Sequence, residues 1–205
     1  MGSTTVGFIG GMESDLIMAF QAGYEQGVAA VDPEMTIYVD YANSFDDVAI
    51  GQSLAQKQYD AGASVIYHAA GNVGNGVINE AQERVNAGSE VWVIGVDRDQ
   101  YEDGMLEGGE SSVILTSMIK RVDNATYTVA KAASEGNFVG EIHTYDITED
   151  GVGAEVTEGR NLTAEMIETI NGYKDQIANG EITVSTTRVI PNGEHGTVAS
   201  FAEAE

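Results

Sequence analysis

The chain has 205 residues, 42% of them hydrophobic, and a formal net charge of −24 from 33 acidic and 9 basic side chains. That length supports one large domain or two small ones with a buried core. The charge excludes nucleic acid and anionic membrane surfaces as partners, because both need basic patches, and the lack of cysteine excludes disulfides, thiolate metal sites and thiol nucleophiles.

The predicted elements alternate. Thr5-Val6-Gly7-Phe8-Ile9-Gly10 reads as a buried strand. Residues 14–31 have helical spacing, with Leu16, Ile17, Phe20, Tyr24, Val28 and Val31 on one stripe and Ser14 as N-cap. Residues 35–42 read as a second strand and 46–61 as a second helix ended by Gly62. Residues 64–69 form a third strand, 76–87 a third helix, and 90–96 a fourth strand. This rhythm means a parallel, doubly wound α/β sheet with right-handed crossovers. An acidic, glycine-rich loop follows at 97–110. Beyond it the pattern gives a short strand at 112–115, a long helix at 116–134 and a strand at 138–146. A loop at 149–160, a helix at 161–179, a short strand at 181–184 and an acidic tail at 185–205 complete the reading. The apolar runs are too short to span a bilayer. Residues 1–5 lead straight into a strand, so no secretory leader is expected.

In an open parallel sheet, ligands bind beyond the carboxyl ends of the strands. Three of these ends are distinctive: Gly10-Gly11-Met12-Glu13, Ala69-Ala70-Gly71-Asn72 and Asp97-Arg98-Asp99-Gln100. Their glycines allow close backbone approach or simply make tight turns. Neither a dinucleotide fingerprint nor a GxxxxGK[ST] phosphate loop is present, so an uncharged polar ligand fits better than a phosphate. Asp97 either accepts two hydrogen bonds from a vicinal diol or caps the following turn. Asp99 reads as the turn residue. Tyr67 and His68 point to opposite faces, so one of them is available to stack on a ligand, or both pack the sheet. Lys120 stands out because only Lys57, Lys120, Lys131 and Lys174 are lysines. It either donates to a ligand hydroxyl beside Asp97 or makes a surface ion pair. The spacing of His68, His143 and His195 resembles no metal site, no GxSxG elbow occurs, and no cofactor is expected. The acid excess reads as adaptation to molar salt.

Together these segments are similar to the basic membrane protein family, also called the purine nucleoside receptor family of binding lipoproteins. The likeness is carried by Val6-Gly7-Phe8-Ile9-Gly10-Gly11-Met12-Glu13-Ser14, Phe20-x-x-Gly23-Tyr24-x-x-Gly27 and Ser44-Phe45-Asp46-Asp47. It continues through Ala69-Ala70-Gly71-x-x-Gly74-x-Gly76-Val77, Ile94-Gly95-Val96-Asp97-x-Asp99-Gln100 and 115–123, so it covers 6–184. The resemblance implies a type I periplasmic-binding-protein fold whose two lobes close on a purine nucleoside. It implies an extracytoplasmic receptor, not an enzyme, that serves an ABC-type importer and its permease. By the same resemblance Asp97 holds the ribose hydroxyls, Lys120 assists, Tyr67 stacks on the base, and Gly11, Met12, Glu13, Gly71 and Asn72 touch sugar or base. Family members carry a long segment before the first strand seen here. The chain therefore reads as residues 1–5 ahead of a ligand-binding lobe at 6–115, crossover elements at 116–184 and the tail. The apolar face of the 116–134 helix (Ile119, Val122, Ala125, Val129, Ala132) is then left for the other lobe or a homodimer. Two other classes remain: an interaction lobe that dimerises, and an enzyme acting on nucleosides.

Overall fold

A computed structural model describes residues 4–187 and 197–200 of the chain. One seven-stranded sheet runs through it in the order β6-β5-β4-β3-β1-β2-β7. The strands are β1 (Thr5–Gly10), β2 (Thr36–Tyr41), β3 (Val65–Ala69), β4 (Trp92–Gly95), β5 (Ile114–Lys120), β6 (Val152–Ala154) and β7 (Thr197–Ser200). β1 to β5 are mutually parallel, while β6 and β7 add antiparallel to β5 and β2. The α/β class is as expected.

Five helices connect these strands: α1 (Asp15–Val31), α2 (Val48–Asp60), α3 (Val73–Asn86), α4 (Val122–Ser134) and α5 (Ala164–Ala178). Ser14 caps α1 by accepting from Ile17 N–H, and Asp47 caps α2 by accepting from Ile50 N–H at 3.1 Å. α1 covers one face of the sheet, over Phe8, Ile37, Val39 and Tyr67. α2 and α3 cover the other, over Ile9, Ile66, Val93 and Ile114. All five residues of β3 are buried between the two layers, as a central parallel strand requires.

In the second half the helix expected at 161–179 forms as α5, but the other elements depart from expectation. The strand expected at 112–115 continues to Lys120, and the helix expected from residue 116 begins only at Val122. Val113, Ile114, Thr116 and Ile119 are β-branched, and β4 and β6 supply backbone partners on both sides. Lys120 therefore ends a strand instead of opening a helix. No strand forms at 138–146: Phe138, Val139 and Ile142 are exposed, Ile142 fully so at 99%. β6 arises within the expected loop instead. The segment 181–184 is not a strand either. Just beyond it Ser185 finds a side chain as partner: Gln26 Nε2 donates to Ser185 C=O at 2.9 Å, and Ser185 N–H donates to Gln26 Oε1 at 2.9 Å. Within the expected tail, Thr197–Ser200 pairs with β2; His195 lies outside the described residues.

Candidate functional site

The chain moves from β1 outward to β2, then returns past β1 to β3, β4 and β5. The direction of winding thus reverses between β1 and β3. A crevice opens at such a point, beyond the carboxyl ends of the strands. The glycine-rich ends and the Asp97 end lie on this edge. β1 and β4 stand two strand spacings apart, so the edge is about 10 Å wide between them.

On the β1 side three loops meet. Gly11 N–H donates to Ala69 C=O at 3.1 Å and ties the end of β1 to that of β3. The Phe45 ring lies against Gly11 where a Cβ would stand, so only glycine admits it. Gly71, at φ 58°, packs against the Phe45 backbone. Phe45 C=O accepts from Val73 N–H at 3.3 Å, and Asn72 Nδ2 donates to Asp46 Oδ1 at 3.2 Å. Ser44 Oγ accepts from the N–H groups of Asp46 and Asp47, both at 3.1 Å. This rigid cluster leaves Phe45 41% exposed at the mouth, beside Met12, also 41% exposed, and exposed Glu13.

On the β4 side, Asp97 and Lys120 come together from neighbouring strand ends. Lys120 Nζ lies 3.0 Å from Asp97 Oδ1, and Lys120 N–H donates to Asp97 C=O at 2.9 Å. The ammonium also sits 5.7 Å over the Phe20 ring. Both side chains remain about half exposed, open to the edge. Asp99 faces away and serves the turn, accepting from Tyr101 N–H at 3.0 Å and from Arg160 at 2.7 Å. Burial works against its charge, but Tyr101 N–H and the Arg160 guanidinium prevail and hold its carboxyl below the usual range.

Tyr67 sits below the mouth. It is 6% exposed, with ring centroids of Phe8 and Tyr24 at 5.7 and 5.3 Å. Its ring lines an apolar cavity of about 330 Å³ under α1 with Phe20, Ile94 and Met118. Burial raises its hydroxyl well above the ordinary tyrosine pKa, followed by the nearby Asp97 charge. Phe45 is an aromatic ring that stands exposed at the carboxyl edge. No periodic signal marked it, since it stands in a loop. The visible cue was its place in Ser44-Phe45-Asp46-Asp47 directly after a strand. His68, on the opposite face, is fully buried beside the Gln100 side chain, and neither ring nitrogen makes a hydrogen bond of good geometry. Burial lowers its pKa to about 4.

A family model described as "ABC transporter substrate-binding protein PnrA-like" matches residues 2–188. A "CD4+ T-cell-stimulating antigen" of Listeria monocytogenes is 40% identical over 185 residues, which is 87% of this chain and 52% of that protein. An "ABC transporter nucleoside-binding protein BmpA" of Lactococcus lactis is 38% identical over 87% of this chain and 52% of its own length. Among solved structures, an ABC transporter solute-binding protein from Aeropyrum pernix superposes with a TM-score of 0.71 at 25% identity, covering 89% of this chain and 57% of that one. A transcriptional activator of comK from Bacillus halodurans shares the fold at a TM-score of 0.74 and 20% identity, over 90% of this chain and 60% of that one. The chain spans about half the length of the curated relatives it matches.

Proposed function

Because the chain belongs to the PnrA-like family of ABC transporter substrate-binding proteins, we propose that its sheet edge is the nucleoside-binding half of an importer's receptor. Proteins of this family bind substrates and do not transform them. The observation that carries the proposal is the pairing of two unlike half-sites along one edge. An exposed aromatic, Phe45, stands on the β1 side, and a carboxylate–ammonium pair, Asp97 and Lys120, on the β4 side. A ring with an attached vicinal diol matches that layout: the base stacks on Phe45, and the hydroxyls donate to Asp97 while Lys120 donates to a ribose oxygen. In this reading Gly11, Met12, Glu13, Gly71 and Asn72 touch the sugar or base. Phe45 takes the stacking place first assigned to Tyr67. The base is a purine in this reading, because the larger ring covers more of the Phe45 platform. The receptor works outside the cytoplasm and delivers to a permease; among the described residues no helix is long and apolar enough to cross a membrane.

Calorimetry with guanosine, inosine, adenosine, cytidine and uridine in molar salt tests this. Saturable purine binding is expected. In a chain that carries both lobes, Asp97→Ala should weaken it by about 2–4 kcal/mol, because a diol enclosed between them loses charge-assisted acceptors. Affinity retained within about twofold in that variant removes Asp97 from the site.

One observation favours a second reading. None of the α4 side chains is buried, and Val122 and Val129 are exposed at 61% and 44%. An interaction lobe that pairs with a second copy through this face predicts a dimer in sedimentation velocity and no heat with any nucleoside.

A further inference from the structure

Asp97 stands at the centre of a γ-turn. Arg98 N–H donates to Val96 C=O at 2.8 Å, and Asp97 itself is at φ 69°. This positive-φ form is rare and strained for a residue that has a Cβ. Such strain persists only where the surroundings over-determine it, and it concentrates at ligand sites.

The surroundings here are specific. Val96 N–H donates to Gln100 Oε1 at 2.8 Å. Gln100 N–H donates to Ser117 Oγ at 3.1 Å, and Gln100 Nε2 donates to Asp103 Oδ2 at 3.1 Å. Lys120 N–H donates to Asp97 C=O at 2.9 Å and closes the other side. Gln100 is 6% exposed and Ser117 fully buried, so water does not compete for these bonds. The Gln100 amide both accepts and donates; a carboxylate there has no proton for Asp103, and an alkyl chain leaves Val96 N–H buried and unpaired. Space for the clamp is kept by Gly95. A Cβ on it would stand 2.6 Å from Ser117 Oγ and 2.8 Å from Gln100 Oε1.

We propose that Gln100 and Ser117 are positioning residues that hold Asp97 in its strained turn. The carboxylate, with Lys120, is thereby fixed toward the sheet edge before a ligand arrives. This rests on the reading that Asp97 accepts the hydroxyls of a nucleoside. Both residues lie beneath the edge and act through Asp97, without touching the ligand. A pre-set acceptor spares the ligand the cost of ordering it.

The test combines crystal structures of the free Gln100→Met and Ser117→Ala chains with calorimetry against inosine and guanosine. In both variants Asp97 should leave the positive-φ region and its pair with Lys120 should open. Affinity should fall about tenfold, roughly the worth of one net hydrogen bond. That loss should vanish when Asp97→Ala is already present. An intact γ-turn in both free variants overturns the proposal, and so does a full tenfold loss that persists in the Asp97→Ala background. Ser117→Ala removes one oxygen atom, so it keeps the test alive should Gln100→Met not fold. Unchanged binding in Asp97→Ala overturns the parent reading of Asp97 instead, while the free-chain turn still decides the clamp.

Discussion

His68 is a buried side chain that resists a proton. It is fully buried at the end of β3, neither ring nitrogen makes a hydrogen bond of good geometry, and burial lowers its pKa from 6.5 to about 4. The folded state therefore holds the neutral ring, and the unfolded state binds the proton first as pH falls. Stability from this group is fully present above pH 6.5 and is lost progressively down to about pH 4, by about 3 kcal/mol at most. Urea unfolding at pH 7 and pH 4.5 should show that loss in the wild type and not in His68→Leu; parallel behaviour of the two proteins removes His68 as the cause. The surface carboxylates titrate in both, so the difference isolates the ring. Tyr67 and His68 also mark where sequence reading ends. Alternation says that neighbours on β3 face opposite ways, yet not which layer covers which face. That is decided by α1 lying over Tyr67 and α3 over His68. Asp97 and Lys120 were legible because one ends a strand at the ligand edge and the other is a scarce residue type. Phe45 was not, because a loop aromatic carries no period.

At the level of elements, α1 holds an unusual vacancy. Gly23 and Gly27 sit in mid-helix with open space where a Cβ would stand. They border an apolar cavity of about 540 Å³ that separates α1 from β6 and from Ile170, Tyr173 and Ile177 of α5. Glycine in a helix interior costs about 0.5–1 kcal/mol relative to alanine. Gly27→Ala should therefore raise stability by that amount in denaturant unfolding, since the added methyl meets nothing. A loss of stability would mean that another part of the chain closes onto this face. The first four strands and three helices were legible because the apolar runs are bounded by caps and glycines, with Ser14 and Gly62 the clearest. In the second half the helix expected at 161–179 was legible and forms as α5, but the elements before it were not. Ile119, Val122, Ala125, Val129 and Ala132 keep a helical period, but strand pairing captures the first of them and the helix starts with the second. Phe138, Val139 and Ile142 have strand composition without a partner strand within reach, and composition alone does not make a sheet.

For the whole molecule, the dominant force outside the core is self-repulsion. A net charge of −24 on 205 residues is screened over about 3 Å in molar salt but only over about 10 Å at 0.1 M. The melting temperature should climb from tens of millimolar to molar potassium chloride. A flat response would show that the compact state does not feel its charge and would remove the salt-adaptation reading. The architecture itself was legible from the alternation of strands and helices, which fixes a parallel sheet, but the strand order was not, because periodicity carries no information about neighbours. That order has one more effect. The apolar strands β1, β3 and β4 occupy the middle of the sheet, and each flank ends in an antiparallel addition, three residues of β6 on one side and four of β7 on the other. On the β6 side, a neighbouring molecule that meets the sheet edge-on finds a three-residue stub, too short to template a strand of its own. Growth of a fibre by rung-upon-rung addition therefore lacks its first rung on that side.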